Sequence, residues 1–275
     1  MKYSPKEMNT NLKEKNFNFK KKFGQNFIID ENIVSNIVFK AEVDKDTLVI
    51  EIGPGAGSLT TKLLEKAGFV ICYEIDTSLE EILNDNLKNK KNYKVIFEDF
   101  LKANIKNELK NYDYKKIYVV ANLPYYITTP IITKIIEDKL NVSKIVIMVQ
   151  KEVGNRFNAV PGTKDYGSLS IYLNYYFDTR KLMDVSRNIF MPKPNVDSII
   201  VEFKRKEMSK NVKNEEVFFK LVRDSFTQKR KTLRNNLNEY DLSKIEKILK
   251  NFGLDLTVRA EHLSIEIFIE IANQL

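Results

Sequence analysis

Between residues 47 and 150, short β-rich runs alternate with stretches of helical periodicity. The runs are Leu48 to Ile52, Phe69 to Tyr73, Tyr93 to Phe97, Ile117 to Ala121 and Ile145 to Val149. Between them, Ser58 to Lys66, Thr77 to Leu87 and Thr129 to Asp138 carry apolar residues at helix spacing. Strands that are apolar on both faces, separated by helix-length connections, predict a parallel sheet with helices on either side. The expected class is therefore α/β, doubly wound, with ligands beyond the carboxyl ends of the strands.

A chain of 275 residues has room for a second, smaller unit. Tyr166, Leu169, Tyr172, Leu173 and Tyr176 recur at helical intervals, and Val196 to Phe203 reads as a strand. The sheet domain is accordingly expected over 21–205. From Asn214 to Leu275 strand signals give way to amphipathic helix patterns, punctuated by Gly253, so 206–275 is read as a small all-helical domain. Residues 1–20 read as a flexible basic arm.

Net charge is +8, and it is unevenly placed. Residues 1–22 hold seven Lys and two Glu, and residues 203–234 hold eleven Lys or Arg against four acids. Two basic flanks around a slightly acidic middle favour a polyanionic partner. The longest apolar run, Ile145 to Val149, is far below the roughly 18 residues of a membrane helix. With no apolar stretch near the N-terminus either, a cytoplasmic setting is expected. One cysteine, Cys72, rules out an intramolecular disulfide, and one histidine, His262, speaks against a multi-His metal site or a Ser-His-Asp triad. No metal is expected.

The first strand of the alternation runs into EIGPGAG, Glu51 to Gly57, with a helix behind it. Gly53, Gly55 and Gly57 let the backbone approach a nucleotide-like ligand at the strand-to-helix turn. Their G-x-G-x-G spacing departs from the dinucleotide fingerprint and lowers the dehydrogenase reading. At the next strand end stands Glu74, placed to accept both hydroxyls of a ribose. Asp99, after the third strand, reaches the same edge and is placed to accept from an adenine amino group.

After the fourth strand comes NLPYY, Asn122 to Tyr126. An exocyclic amine on a nucleobase is a poor nucleophile because its lone pair is delocalised into the ring. Two acceptors on its two N–H groups pull the nitrogen toward sp³ geometry and free that pair. The Asn122 side-chain oxygen is one such acceptor. The Leu123 carbonyl, stiffened by Pro124, is the other. Tyr125 offers a face for a flipped-out base, worth about 1–3 kcal/mol.

FGQNF (23–27), EIGPGAG, YEID (73–76), EDF (98–100), NLPYYITTPI (122–131), QKEV (150–153), DYGSLS (165–170), PKPNVDS (192–198) and RKTLRNNL (230–237) together resemble the KsgA-type small-subunit rRNA adenine dimethyltransferases. The resemblance runs from about residue 20 to the C-terminus. It implies a Rossmann-like, class I methyltransferase sheet and S-adenosylmethionine as donor, contacted at positions matching Asn26, Ile28, Gly53, Glu74, Asp99 and Asn122. Gly55 joins that set from the loop reading. The resemblance also makes Phe190 the second aromatic flanking the target base. It implies four methyl transfers to two adjacent adenines in the 3′-terminal hairpin of 16S rRNA, within an assembling 30S particle, by a monomeric enzyme. Lys20, Lys21, Lys22, Arg223, Lys229, Arg230, Lys231 and Arg234 would hold phosphates. Tyr126 stands where relatives commonly have Asn. Lys193, within Pro192-Lys193-Pro194, is a feature of the Erm-type large-subunit rRNA methyltransferases, the second reading. A non-catalytic ribosome-assembly factor and an NAD-dependent oxidoreductase are the remaining alternatives.

Overall fold

The computed structural model describes residues 17, 19, 20, 23–124, 127–157, 159–207 and 212–275. In chain order its first half comprises β1 (Phe27–Ile28), α1 (Glu31–Lys40), β2 (Thr47–Ile52), α2 (Ser58–Lys66), β3 (Phe69–Tyr73), α3 (Glu80–Leu87), β4 (Tyr93–Ile96), α4 (Ile105–Leu109), β5 (Lys116–Asn122), α5 (Thr128–Glu137) and β6 (Lys144–Gln150). The five expected strands are all present, within a residue or two of their sequence bounds. The helix expected from Thr77 begins as a 3₁₀ turn, Thr77–Leu79, because Asp76 caps it by accepting from the Ser78 N–H.

The second half comprises α6 (Lys151–Phe157), α7 (Ser168–Tyr176), β7 (Phe177–Val185), β8 (Phe190–Met191), β9 (Ser198–Arg205), α8 (Glu215–Ser225), α9 (Leu233–Asn236), α10 (Leu242–Asn251) and α11 (Ile265–Gln274). Seven strands form one sheet in the order β4-β3-β2-β5-β6-β9-β7. The pairs β4 with β3, β3 with β2, β2 with β5 and β5 with β6 are parallel, whereas β9 is antiparallel to β6. The sheet is thus mixed rather than wholly parallel.

All six residues of β2 are buried, as a central strand covered on both faces must be. On one face, α1 contributes Val34, Ile37 and Val38 and α2 contributes Leu59, Leu63 and Leu64 to the core. Phe17 and Phe19 pack on that core as well, with ring centroids 5.9 and 5.2 Å from Phe27. Both lie within the stretch 1–20 read from the sequence as a flexible arm, and both rings are partly buried.

The chain divides into two compact units, one built from residues up to Gly154 with Arg180–Lys204, the other from Asn155–Thr179 with Arg205–Leu275. This differs from the sequence division at 205/206. The reason is aromatic: Tyr175 and Tyr176 on α7 meet Phe218 and Phe219 on α8 at 5.1 and 5.6 Å, which joins α7 to the C-terminal helices. Phe218, Leu221, Leu249, Phe268 and Ile271 of this unit are wholly buried, each worth about 1.5–3 kcal/mol of apolar transfer.

Candidate active site

The carboxyl ends of β2, β3 and β5, with the loop after β4, surround a cavity of about 320 Å³. Asn26, Ile28, Gly53, Gly55, Glu74, Asp99, Asn122, Leu123 and Pro124 all line it. Nine of the residues singled out in the sequence thus converge from five separate segments on one concavity of ligand-binding size.

The glycine turn is built by backbone sterics. Gly55 has φ +60°, and a Cβ there would stand 2.9 Å from the Phe27 ring; Gly57, at φ +84°, caps α2. Both positions therefore exclude a side chain at little cost only if they are glycine. The turn is then pinned from the next strand: Glu74 accepts the Gly55 N–H at Oε2 (3.1 Å) and the Asp76 N–H at Oε1 (2.9 Å). Glu74 is buried, and that burial raises its carboxyl above its ordinary value. Asp99 accepts the Leu101 N–H at Oδ1 (3.0 Å), which orients its second oxygen independently of the turn.

Asn122 lines the cavity from the end of β5. Its Nδ2 donates to the Asn26 carbonyl at 2.9 Å. A carbonyl can only accept, so the amide nitrogen must face Asn26 and Oδ1 is the end left over. Among the described residues no group donates to Oδ1 or to the Leu123 carbonyl. Among the described residues, two adjacent residues thus carry acceptors that nothing donates to, one of them preceding a proline.

The remaining candidates lie elsewhere. Phe190 sits on β8 opposite Ile28, is buried in the core at 4% exposure, and is not among the residues that line this cavity. The Lys20 ammonium is committed to Asp76 at 2.6 Å and to the Ser78 hydroxyl at 2.8 Å, rather than standing free for phosphate. Tyr125, Tyr126, Lys21 and Lys22 lie outside the described residues.

The cavity also contains residues not singled out before. Ile75 lies between two acids yet is 49% exposed and lines the wall beside Glu74; an apolar residue between strand-end acids was its only signal. Gln25 donates to Asp76 Oδ2 at 2.7 Å, which ties the FGQNF segment to the far wall. Burial pushes Asp76 up, but hydrogen bonds from Lys20, Ser78 and Gln25 outweigh it and hold the carboxyl below its usual range.

Glu51 reaches the cavity from inside β2, with Cys72 donating through Sγ to Oε2 at 3.6 Å. Burial pushes its carboxyl from 4.5 up to about 8. The native state thus keeps a proton that the unfolded chain has already lost, so this stabilisation is complete below the unfolded value and disappears as pH rises through the folded one. The parent should lose stability between pH 5 and 9 in urea unfolding, and Glu51→Gln should shrink that loss by about 2–4 kcal/mol. Parallel stability curves would refute this assignment.

In the helical unit, Arg223, Lys229, Arg230, Lys231 and Arg234 are all exposed. Asn236 holds the turn that carries three of them, donating to the Ser225 and Gln228 carbonyls at 2.8 and 3.3 Å and accepting the Gln228 N–H at 3.2 Å. Among the described residues, no helix is long and apolar enough to cross a membrane.

Comparison with known proteins agrees with this geometry. The ribosomal RNA small subunit methyltransferase A of Staphylococcus aureus is 47% identical over 277 aligned residues, covering 98% of this chain and 93% of the relative. The crystal structure of a dimethyladenosine transferase from Plasmodium falciparum superposes with a TM-score of 0.73 at 27% identity, over 89% of this chain and 95% of that one. That of the 23S rRNA methyltransferase ErmE gives 0.66 at 26% identity, over 90% and 99%. The ribosomal RNA adenine dimethylase family matches residues 16–275. A family match over residues 16–275 and 47% identity across nearly the whole of both chains go together, and the chain belongs to the ribosomal RNA adenine dimethylase family.

Proposed function

We propose that this chain dimethylates the N6 amino groups of two adjacent adenines in the 3′-terminal hairpin of 16S rRNA, within a small-subunit particle in the cytoplasm, and that it acts as a monomer. The single observation carrying the chemistry is the anchoring of the Asn122 amide on the Asn26 carbonyl, which leaves Oδ1 as an acceptor.

The residues present fit the methyl donor the family implies. A cavity with one apolar exposed wall at Ile75, a glycine turn, and two carboxylates at neighbouring strand ends suits a purine nucleoside carrying a charged tail. Glu74 would hold the ribose hydroxyls, Asp99 the adenine amino group, and Asn26, Ile28, Gly53 and Gly55 the remainder. When bound, S-adenosylmethionine supplies an activated methyl carbon.

What this chain's own residues do is orient and polarise. Asn122 Oδ1 and the Leu123 carbonyl accept the two N–H groups of the target adenine, which frees the nitrogen lone pair. No strong base is needed, because the nitrogen becomes acidic only as it is alkylated, and its proton then leaves through the acceptors or water. Positioning and electrostatic fit to a shifting positive charge supply the acceleration. Tyr125 is read as the stacking face from its place after Pro124 alone. The greater identity to a small-subunit enzyme than to ErmE supports the small-subunit substrate over the large.

The test is methyl transfer from labelled S-adenosylmethionine to unmethylated small-subunit particles, with N6,N6-dimethyladenosine identified by mass spectrometry. Label appearing only in 23S rRNA would reverse the choice. The exposed turn of the helical unit has its own consequence. Replacing Lys229, Arg230 and Lys231 together by Ala should weaken particle binding and lower the salt slope by about two to three, with donor affinity unchanged. An unaltered slope would remove these residues from the RNA face.

A further inference from the structure

The unit that holds the cavity also carries a second concavity, a cleft of about 790 Å³ between α1, α2 and β7. It lies at the amino ends of the strands: Lys40 and Glu42 precede β2, and Lys66 precedes β3. The length of β2 separates it from the glycine turn by about 20 Å. No residue of the transfer site reaches it.

Its composition is unusual for an incidental hollow. Phe39, at the end of α1, is 80% exposed, the most solvent-facing large apolar side chain among the described residues. Five cations line the cleft against two acids. Both acids are already neutralised, Glu42 by Lys144 at 2.6 Å and Glu65 by Lys62 at 3.5 Å. Lys40 and Lys66 have no ion-pair partner among the described residues. Arg180 gives its Nε to Glu202 at 2.6 Å, yet the side chain remains 62% exposed. Lys62 is also paired with Glu31 and Lys181 with Asp184, each at 2.7 Å, so the uncompensated positive charge beside the exposed aromatic ring is that of Lys40 and Lys66.

We propose that this cleft binds an unpaired RNA segment of the small-subunit particle, with a base stacked on Phe39 and phosphates on Lys40, Lys66 and Arg180. Cations that track a backbone beside an aromatic platform are what single-stranded nucleic acid recognition needs, and stacking is sequence-tolerant because every base has a π-face. An apolar partner surface would find the lysines costly to bury unpaired. This proposal rests on the rRNA substrate of the preceding section and adds a contact remote from the reacting base. Such a contact would hold a second strand of the same particle while the target adenine is in the cavity.

The experiment uses the full chain with three probes: a fluorescent polyuridylate 12-mer, protein-free 16S rRNA, and unmethylated small-subunit particles. Phe39→Ala should weaken binding to all three about tenfold. Lys40→Glu with Lys66→Glu should lower the salt slope on the 12-mer by about one to one and a half. S-adenosylhomocysteine affinity should stay unchanged in both variants, because the altered side chains are far from the cavity; the unfolding midpoint should stay unchanged for Phe39→Ala and fall only slightly for the charge reversals, which sit in the last turns of α1 and α2. Unchanged RNA affinity and slope would overturn the proposal. So would a loss confined to particles and absent with protein-free rRNA, which would assign the cleft to a protein of the particle. The Lys229, Arg230 and Lys231 triple variant is measured alongside. Loss there with none at the cleft sinks the cleft alone; loss at the cleft with none there sinks only the helical-unit reading.

Discussion

Asn122→Ala should lower the methyl-transfer rate by about 10²–10³-fold while leaving S-adenosylhomocysteine affinity within tenfold of the parent. The side chain does two separable things. Its Nδ2 holds the Asn26 carbonyl at 2.9 Å, a contact of the resting fold, and in the proposed mechanism its Oδ1 is the acceptor whose value appears as the amine gains positive charge. Removing the first loosens one wall of the cavity and costs about 1 kcal/mol, the net worth of a neutral hydrogen bond. Removing the second subtracts an interaction made mainly in the transition state, so it falls on turnover rather than on donor binding. Single-turnover transfer and calorimetric titration separate the two effects. A variant with near-normal turnover would show that the amide does not grip the amine.

Glu74→Gln should damage both stability and donor binding. The carboxylate accepts two backbone N–H groups at once, from Gly55 and Asp76, in a buried position. An amide of the same size has one oxygen; its NH₂ must then confront whichever N–H the oxygen does not serve. One buried donor is left unsatisfied, at about 1–3 kcal/mol, and the Gly55 turn loses its register. The ribose loses an ionised acceptor as well, so affinity for S-adenosylhomocysteine should fall about 100-fold. Urea unfolding and titration calorimetry check the two parts. A stable variant that binds the nucleoside normally would mean Glu74 is a turn anchor and nothing more.

How far the amino-acid order disclosed the site varied with how local each feature is. Gly53, Gly55, Glu74, Asp99 and Asn122 were legible because each closes a strand whose apolar run is itself legible, and parallel strands bring their ends to one edge. Asn26 and Ile28 came from resemblance alone: Ile28 lies on a two-residue strand and Asn26 just before it, too short a stretch for any periodicity to reveal. Phe190 was likewise read from its motif position as a base-stacking ring; what the fold adds is that β8 pairs with β1 and that the ring is buried. Ile75 and Gln25 escaped notice because nothing in their neighbours' spacing distinguishes a cavity wall from a solvated loop.

The same contrast holds for charge. Lys20 belonged to a basic run and was read with it, yet the fold set Asp76 beside it and spent its charge internally. Lys40, Lys66 and Arg180 lie in no basic run at all, and only the packing of α1, α2 and β7 assembles them around Phe39.

By itself the order of residues determined the α/β class, the edge of the sheet where ligands gather, and the chemical types available there, since these follow from periodicity and from residues adjacent in the chain. The tertiary structure alone decided which way the amide of Asn122 faces, whether an aromatic is a platform or filling, and which lysines remain uncompensated. Those depend on contacts between segments far apart in sequence, and a hydrogen bond or ion pair is settled by the partner that packing delivers rather than by the residue that seeks it.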